Sequence, residues 1–118
     1  MPKGNNKIGW VRNMISDEII KDAVSRLKEA APGSTIILFG SHARGDARDG
    51  SDLDFMVVEP EVKARREEMA RLSKVLSSLH IPVDVLVASR EFYEKWSKAP
   101  GTVYYWAATQ GKVLYAGT

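Results

Sequence analysis

Three short apolar runs, separated by segments of helical periodicity, restrict the folds that this chain can form. The runs are residues 35–39 (TIILF), 53–58 (LDFMVV) and 83–87 (VDVLV). Apolar runs of this length that are rich in β-branched residues predict buried strands, because helices are usually longer. Strands that alternate with helices predict the α/β class, in which helices pack on a central sheet.

The segments around these runs are predicted to be helices. Residues 17–31 follow Ser16, which is suited to cap a helix N-terminus, and stop at Pro32-Gly33. Residues 61–79 carry apolar side chains on one face and basic side chains mostly on the other. The remaining predicted elements are a short helix from Ser89 to about Trp96, a helix over residues 102–110 that ends at Gly111, and an edge strand over residues 113–115.

Length and composition exclude several other classes of protein. A chain of 118 residues has the size of one domain. Residues 1–15, which include Trp10, are expected to form a tail or docking arm before this domain. The absence of cysteine excludes a disulfide scaffold and any cysteine-ligated metal site. A net charge of +2 gives no strong sign of nucleic-acid binding. Neither a membrane span nor a signal peptide is recognisable, so we expect a cytoplasmic protein without a membrane partner.

Aspartates interrupt two of the predicted strands. Asp52 and Asp54 are two residues apart, so their side chains point to one face of the strand. Carboxylates placed in this way repel one another and are costly to bury without a cation. Asp84 poses the same problem in the third strand, and it can meet the other two if these strands pair. Three carboxylates on a rigid sheet suit Mg²⁺, which prefers oxygen ligands.

A glycine-rich segment directly follows the first strand. Gly40 lets the backbone approach a phosphate closely, and a turn or helix that starts at Ser41 presents free N–H groups to an anion. Arg44 adds a cation a few residues later. A phosphate cradle next to a carboxylate cluster indicates metal-assisted transfer of a phosphoryl or nucleotidyl group.

The spacing of these residues resembles a known family. Gly40-Ser41, ten further residues and Asp52-Leu53-Asp54 spell G-S-x10-D-x-D, the signature of the polymerase-β-like nucleotidyltransferases. The string GSHARGDARDGSDLDFMVV and the ending QGKVLYAG resemble their minimal branch, the MNT proteins, and Asp84 matches the family's third carboxylate. The resemblance implies one nucleotidyltransferase domain over residues 16–118. It also implies the polymerase-β-like palm, a small mixed β-sheet flanked by helices.

The resemblance also implies a role for each matched residue. Asp52, Asp54 and Asp84 would be both the catalytic residues and the ligands of a two-metal Mg²⁺ site, with Asp84 assisting deprotonation of the attacking hydroxyl. Gly40, Ser41 and the nearby backbone would hold the phosphates of ATP, the implied substrate. Arg44 would steady the loop or the phosphates.

A specific reaction and partner follow from the same resemblance. In HEPN–MNT toxin–antitoxin pairs, the MNT protein is the antitoxin and transfers AMP from ATP to a tyrosine hydroxyl of a HEPN-type ribonuclease toxin. Two other functions stay open, namely a toxin-binding module without catalysis and nucleotidyl transfer to a small molecule. A homo-oligomer or hetero-oligomer is compatible with each of them.

Several of these residues also have purely structural interpretations. Asp52 fits a turn, Asp84 fits a solvated edge strand, and Ser41 fits a helix N-cap. Arg44 could form a surface ion pair with Asp46 or Asp49. Two larger sets are expected to be structural: the basic residues between Lys63 and Lys74 on a solvated helix face, and Trp96, Tyr104, Tyr105 and Trp106 mostly in packing.

Overall fold

One four-stranded sheet forms the centre of the computed structural model, which describes residues 15–117. Its strands, in chain order, are β1 (Thr35–Phe39), β2 (Leu53–Glu59), β3 (Val83–Ser89) and β4 (Lys112–Tyr115). They lie in the order β3–β2–β1–β4, with β2 and β3 parallel and the other neighbours antiparallel. The predicted α/β class and the mixed sheet are therefore confirmed.

Helices flank the sheet as predicted, although some of their bounds differ. They are α1 (Asp17–Ala30), α2 (Ser41–Arg44), α3 (Arg65–Val75), α4 (Arg90–Trp96) and α5 (Val103–Gln110). Within residues 15–117, none of the helices has the length and hydropathy needed to cross a membrane. Of the predicted tail or arm over residues 1–15, only Ile15 is among the described residues, where it packs against the core; Trp10 lies outside them.

The prediction of one helix over residues 61–79 was wrong at both ends. The helix α3 begins at Arg65, where Glu67 and Glu68 fall in its first turn and favour the positive end of the helix dipole. It ends at Val75, and a short 3₁₀ turn over Ser77–Leu79 follows. The Ser77 hydroxyl donates a hydrogen bond of 2.7 Å to the Lys74 carbonyl oxygen. A serine that bonds to the backbone in this way competes with continued helix.

The two faces of the sheet are covered by different helices. One face packs under α1 and α3 and includes Leu53 and Phe55 of β2. The other face lies under α4 and α5 and includes Phe39 and Met56. Because side chains alternate along a strand, Asp54 falls on the second face, which is also the face of Met56. The fold thus separates a structural face from the face that carries the aspartates.

The basic residues between Lys63 and Lys74 are exposed, as expected, and two of them also contact neighbouring elements. Arg65 donates hydrogen bonds to the Val87 carbonyl oxygen at 2.8 Å and to the Tyr104 hydroxyl at 3.3 Å. Arg71 donates to the Ala30 carbonyl oxygen at 2.9 Å. These two arginines therefore tie α3 to neighbouring elements.

An acidic pair lies at the end of β2 that is remote from the aspartates. Glu59 is half-buried, and its buried Oε2 atom has no hydrogen-bond partner among residues 15–117. Burial and the adjacent Glu68 raise the pKa of Glu59 to about 7. Glu68 accepts hydrogen bonds of 2.9 and 2.7 Å from Arg71, which lowers the pKa of Glu68 to about 2.

This pair predicts a pH-dependent stability that Glu59→Gln should remove. An acid whose pKa is raised by folding stabilises the folded protein at pH values below the pKa that the acid has in the unfolded chain. This contribution is lost as the pH rises through the pKa of the acid in the folded protein. The Glu59 contribution is thus present below about pH 4.5 and lost as the pH rises through about 7. We expect the melting temperature of Glu59→Gln to fall less than that of the wild type between about pH 5 and pH 8. The melting temperature of Glu67→Gln, which alters an exposed carboxylate, should fall with pH as that of the wild type does. Identical pH profiles for both variants would contradict the assignment.

Candidate active site

Asp54 and Asp84 lie opposite each other on neighbouring strands. They are register partners in the parallel ladder between β2 and β3, and Asp52 precedes Asp54 by two residues. One carboxylate oxygen from each of the three residues lies within 4.8 Å of the other two. Asp52 and Asp84 are exposed, and Asp54 is half-buried. The structure thus brings together the three carboxylates that the sequence analysis singled out, with Asp84 on an edge strand.

The electrostatics of this cluster favour a bound cation. Burial raises the pKa of Asp54 to about 6, and the charges of Asp84 and Asp52 contribute to the same rise. His42 and Arg44 act in the opposite direction without cancelling the shift. A divalent cation would relieve this repulsion, and three carboxylate oxygens are the donor set that Mg²⁺ prefers. The residues present therefore fit a magnesium site.

Gly40 is pressed against Asp54. Its φ of 79° and ψ of −159° lie in a region that is essentially restricted to glycine. A Cβ at this position would collide with the Asp54 carboxylate. The backbone at the end of β1 therefore approaches the acidic cluster as closely as it does only because residue 40 has no side chain.

The segment after Gly40 forms the four-residue helix α2. Gly40 is its cap residue, so the interpretation of Ser41 as the N-cap is wrong; Ser41 is the first residue of the helix. The Gly40 carbonyl oxygen accepts hydrogen bonds of 3.1 Å from the backbone N–H groups of Ala43 and Arg44. These bonds fix the turn that follows Gly40, the residue that lies against Asp54.

Arg44 lies at the exposed end of α2. Its Nε atom is 3.4 Å from Asp46 Oδ2, so the surface ion pair that the sequence left open is formed with Asp46. An exposed pair of this kind contributes little to stability. The guanidinium group can therefore exchange this partner for a phosphate at small cost.

His42 is a residue near the site to which the sequence analysis gave no role. Its Nε2 atom is 3.4 Å from the Ser51 carbonyl oxygen. This contact links the two ends of the loop that joins β1 to β2. Its charge is among those that lower the pKa of Asp54. The only sequence signal for this role was its position between Ser41 and Arg44.

Two of the four aromatic residues expected in packing are exposed. Trp96 is 37% exposed and Trp106 is 46% exposed, so the prediction of core packing was wrong for both. The tyrosines Tyr104 and Tyr105 are half-buried, as expected. Exposed tryptophans of this size are suited to contact a ligand or a partner.

Carboxylates clustered beside a glycine turn, at one end of a mixed sheet, define the chain as an enzyme of the nucleotidyltransferase class. A model of the nucleotidyltransferase domain matches residues 18–105. The chain belongs to the nucleotidyltransferase domain family, and the resemblance noted in the sequence is confirmed at this level.

Two archaeal proteins are similar in sequence to this chain. The MJ0604 protein of Methanocaldococcus jannaschii, named as a candidate protein adenylyltransferase, is 31% identical over 104 residues, or 86% of this chain and 100% of that protein. The MJ0141 protein of the same organism, described in the same words, is 32% identical over 74 residues, or 63% of this chain and 72% of that protein.

Solved structures share the fold at lower identity. A candidate nucleotidyltransferase from Sulfolobus solfataricus has a TM-score of 0.61 and 19% identity, covering 91% of this chain and 83% of that one. A chain of a toxin–antitoxin crystal structure with AMP-PNP has a TM-score of 0.59 and 24% identity, covering 88% of this chain and 76% of that one. At these identities the matches show a common fold.

Proposed function

We propose that this chain is an antitoxin that transfers AMP from ATP to a hydroxyl of a partner protein in the cytoplasm. The acceptor in this proposal is a tyrosine of a HEPN-type ribonuclease toxin, and the transfer depends on Mg²⁺. The observation that carries the proposal is the convergence of Asp52, Asp54 and Asp84 within 4.8 Å beside the Gly40 turn. This arrangement provides a place for a triphosphate and its metal, while the exposed Asp84 leaves room for a large acceptor.

Each residue of the site has a role in this proposal. Asp52, Asp54 and Asp84 hold Mg²⁺, which when bound neutralises charge on the reacting phosphates and on the leaving group. The backbone after Gly40 and the Ser41 hydroxyl orient the triphosphate. Arg44 pairs with phosphate oxygens in place of Asp46.

The transfer itself is a displacement at the α-phosphorus of ATP. A bond forms between the acceptor oxygen and this phosphorus, and the bond from the phosphorus to the bridging oxygen of the β-phosphate breaks. Pyrophosphate leaves with that bridging oxygen. The proton of the acceptor hydroxyl passes to the Asp84 carboxylate, which is exposed and close to the other two carboxylates.

Similar proteins support the choice of AMP and of a protein acceptor. The MJ0604 protein, whose whole length is matched by this chain, is named as a candidate protein adenylyltransferase. A toxin–antitoxin structure of the same fold was crystallised with AMP-PNP, an ATP analogue. The MntA–HpeT toxin–antitoxin also provides a structural match, with a TM-score of 0.57 and 24% identity.

Intact-mass measurement tests the proposal directly. The chain is mixed with the protein that the adjacent gene encodes, Mg²⁺ and ATP labelled at the α-phosphate. We expect the partner to gain AMP units and label, and we expect no gain with Asp52→Ala or when Mg²⁺ is chelated. Replacing the modified tyrosine of the partner by phenylalanine should also abolish the gain. Undiminished labelling by Asp52→Ala would contradict the proposal.

A second candidate function is binding of the toxin without transfer, and the exposed aromatic side chains of α4 favour it. Phe92 is 43% exposed, and its ring centroid lies 6.0 Å from that of Trp96. Neighbouring exposed aromatic rings are typical anchors of protein interfaces. A stable complex that neutralises the toxin with no gain in mass would establish this function instead.

A further inference from the structure

A groove opens beside Gly40, on the same face of the sheet as the aspartate cluster. Its floor is the end of β1, at Phe39 and Gly40, and Arg44 borders it. Its wall is one face of α5, formed by the side chains of Val103, Trp106 and Gln110, which are spaced three and four residues apart. The volume is about 510 Å³, which is within the usual range for sites that bind small molecules.

The wall of this groove is firmly attached to the sheet. The Thr102 hydroxyl accepts a hydrogen bond of 3.1 Å from the Tyr105 backbone N–H and donates one of 2.9 Å to the Ala99 carbonyl oxygen, which fixes the start of α5. At the other end, a Cβ on Gly111 would collide with the Ala107 carbonyl oxygen and with Ile37 of β1. The helix therefore presents the indole of Trp106 from a fixed position.

The lining of the groove matches the chemistry of a nucleobase. Trp106 and Phe39 provide aromatic rings, and Val103 adds an apolar contact. Aromatic side chains stack on any base, because every base has a π face. Gln110 provides an amide, which can both donate to and accept from the edge of a purine. None of the described residues that line the groove is acidic.

The position of the groove favours the nucleotide, rather than the acceptor, as its occupant. Gly40 and Arg44 border both the groove and the proposed phosphate site, so one molecule can occupy the two without a break. The acceptor hydroxyl has to approach Asp84, which lies on the edge strand β3, whereas the groove lies beside β1. The two substrates thus have separate approaches to the aspartates.

We propose that this groove is the nucleobase subsite, in which Trp106 stacks on the base of the nucleoside triphosphate and Gln110 contacts its edge. The inference rests on the proposed function for the place of the triphosphate. It adds Trp106 as the residue that binds the base, next to the residues that bind the phosphates.

Calorimetric titration with two ligands tests this subsite. MgATP probes both parts of the site, whereas magnesium tripolyphosphate probes the phosphate part alone. We expect Trp106→Ala to weaken MgATP binding by roughly 5- to 150-fold, the loss of one stacking contact, and to leave tripolyphosphate binding unchanged. Trp96→Ala, which removes another exposed tryptophan outside the groove, should change neither affinity.

Two further results secure the interpretation. Trp106→Phe keeps a ring and should recover most of the MgATP affinity, which a general loss of folding would not allow. Unchanged MgATP affinity in Trp106→Ala, or an equal loss for both ligands, would overturn the subsite. A slower modification of the partner with unchanged MgATP affinity would instead assign the groove to the acceptor. These titrations contain no acceptor protein, so a failure of AMP transfer would contradict the proposed function and leave the subsite intact.

Discussion

Asp54→Asn is expected to lower AMP transfer by about a thousand-fold or more, because it removes the carboxylate at the centre of the cluster. A bound metal supplies several kcal/mol of transition-state stabilisation, and about 4 kcal/mol corresponds to a factor of roughly a thousand in rate. An amide of the same shape keeps the packing around β2 but removes the charge. The rate is measured as label transferred to the partner at an MgATP concentration that saturates the wild type.

The same variant should be at least as stable as the wild type in the absence of metal. The pKa of Asp54 is raised to about 6, so above that pH its ionised form costs folding free energy, and the neutral amide of the variant avoids this cost. We expect the melting temperature of metal-free Asp54→Asn to equal or exceed that of the wild type at neutral pH. The increase in melting temperature that MgATP gives the wild type should be lost.

Asp49→Asn is the matched control for this experiment. Asp49 is an exposed aspartate in the loop that precedes β2, outside the cluster. Its substitution should leave both the transfer rate and the MgATP shift close to those of the wild type. If Asp54→Asn transferred AMP at the wild-type rate, or if both variants lost the same fraction of that rate, the cluster would have no role in the site.

Gly40→Ala is expected to damage the site and the fold together. The residue lies in a backbone region that costs a non-glycine residue about 1–3 kcal/mol. The added Cβ would also collide with the Asp54 carboxylate and displace it. Because a displacement of about 1 Å can cost roughly a hundred-fold in rate, we expect a loss of about that size or larger in AMP transfer. Chemical denaturation and the labelling assay measure the two effects separately.

Gly101→Ala separates backbone strain from the collision. Gly101 also has a positive φ, of 90°, but a Cβ there would meet no atom of the described part of the chain within 4 Å. This variant should lose about 1–2 kcal/mol of unfolding free energy and keep its transfer rate. If Gly40→Ala behaved in the same way, the close approach of Gly40 to Asp54 would have no part in catalysis.

The aspartate cluster could be predicted because its determinants are local. The spacing of Asp52 and Asp54 fixes a common face for any strand, and a carboxylate inside the apolar run VDVLV marks Asp84 as a candidate ligand. The parallel pairing that puts Asp84 beside Asp54 could be stated only as a condition. It depends on long-range packing that no short segment encodes.

The groove could not be predicted, because it forms between parts of the chain that are distant in sequence. The apolar character of α5 suggested burial, but its packing on the end of β1 buries Ala107 and leaves Trp106 open. The ends of α3 depended on similarly weak signals, since Ser77 could equally have continued the helix. In both cases tertiary contacts decided between alternatives of similar local preference.

The position of Asp84 on the outermost strand has a consequence for how acceptors are selected. A reaction centre at an open rim applies little steric filtering of its own, so discrimination must come from binding energy gained elsewhere on a docked protein. Selectivity would then be a property of the assembled complex rather than of the domain. Exchanging the surface by which a substrate protein docks would redirect the same chemistry to a new hydroxyl without any change among the carboxylates.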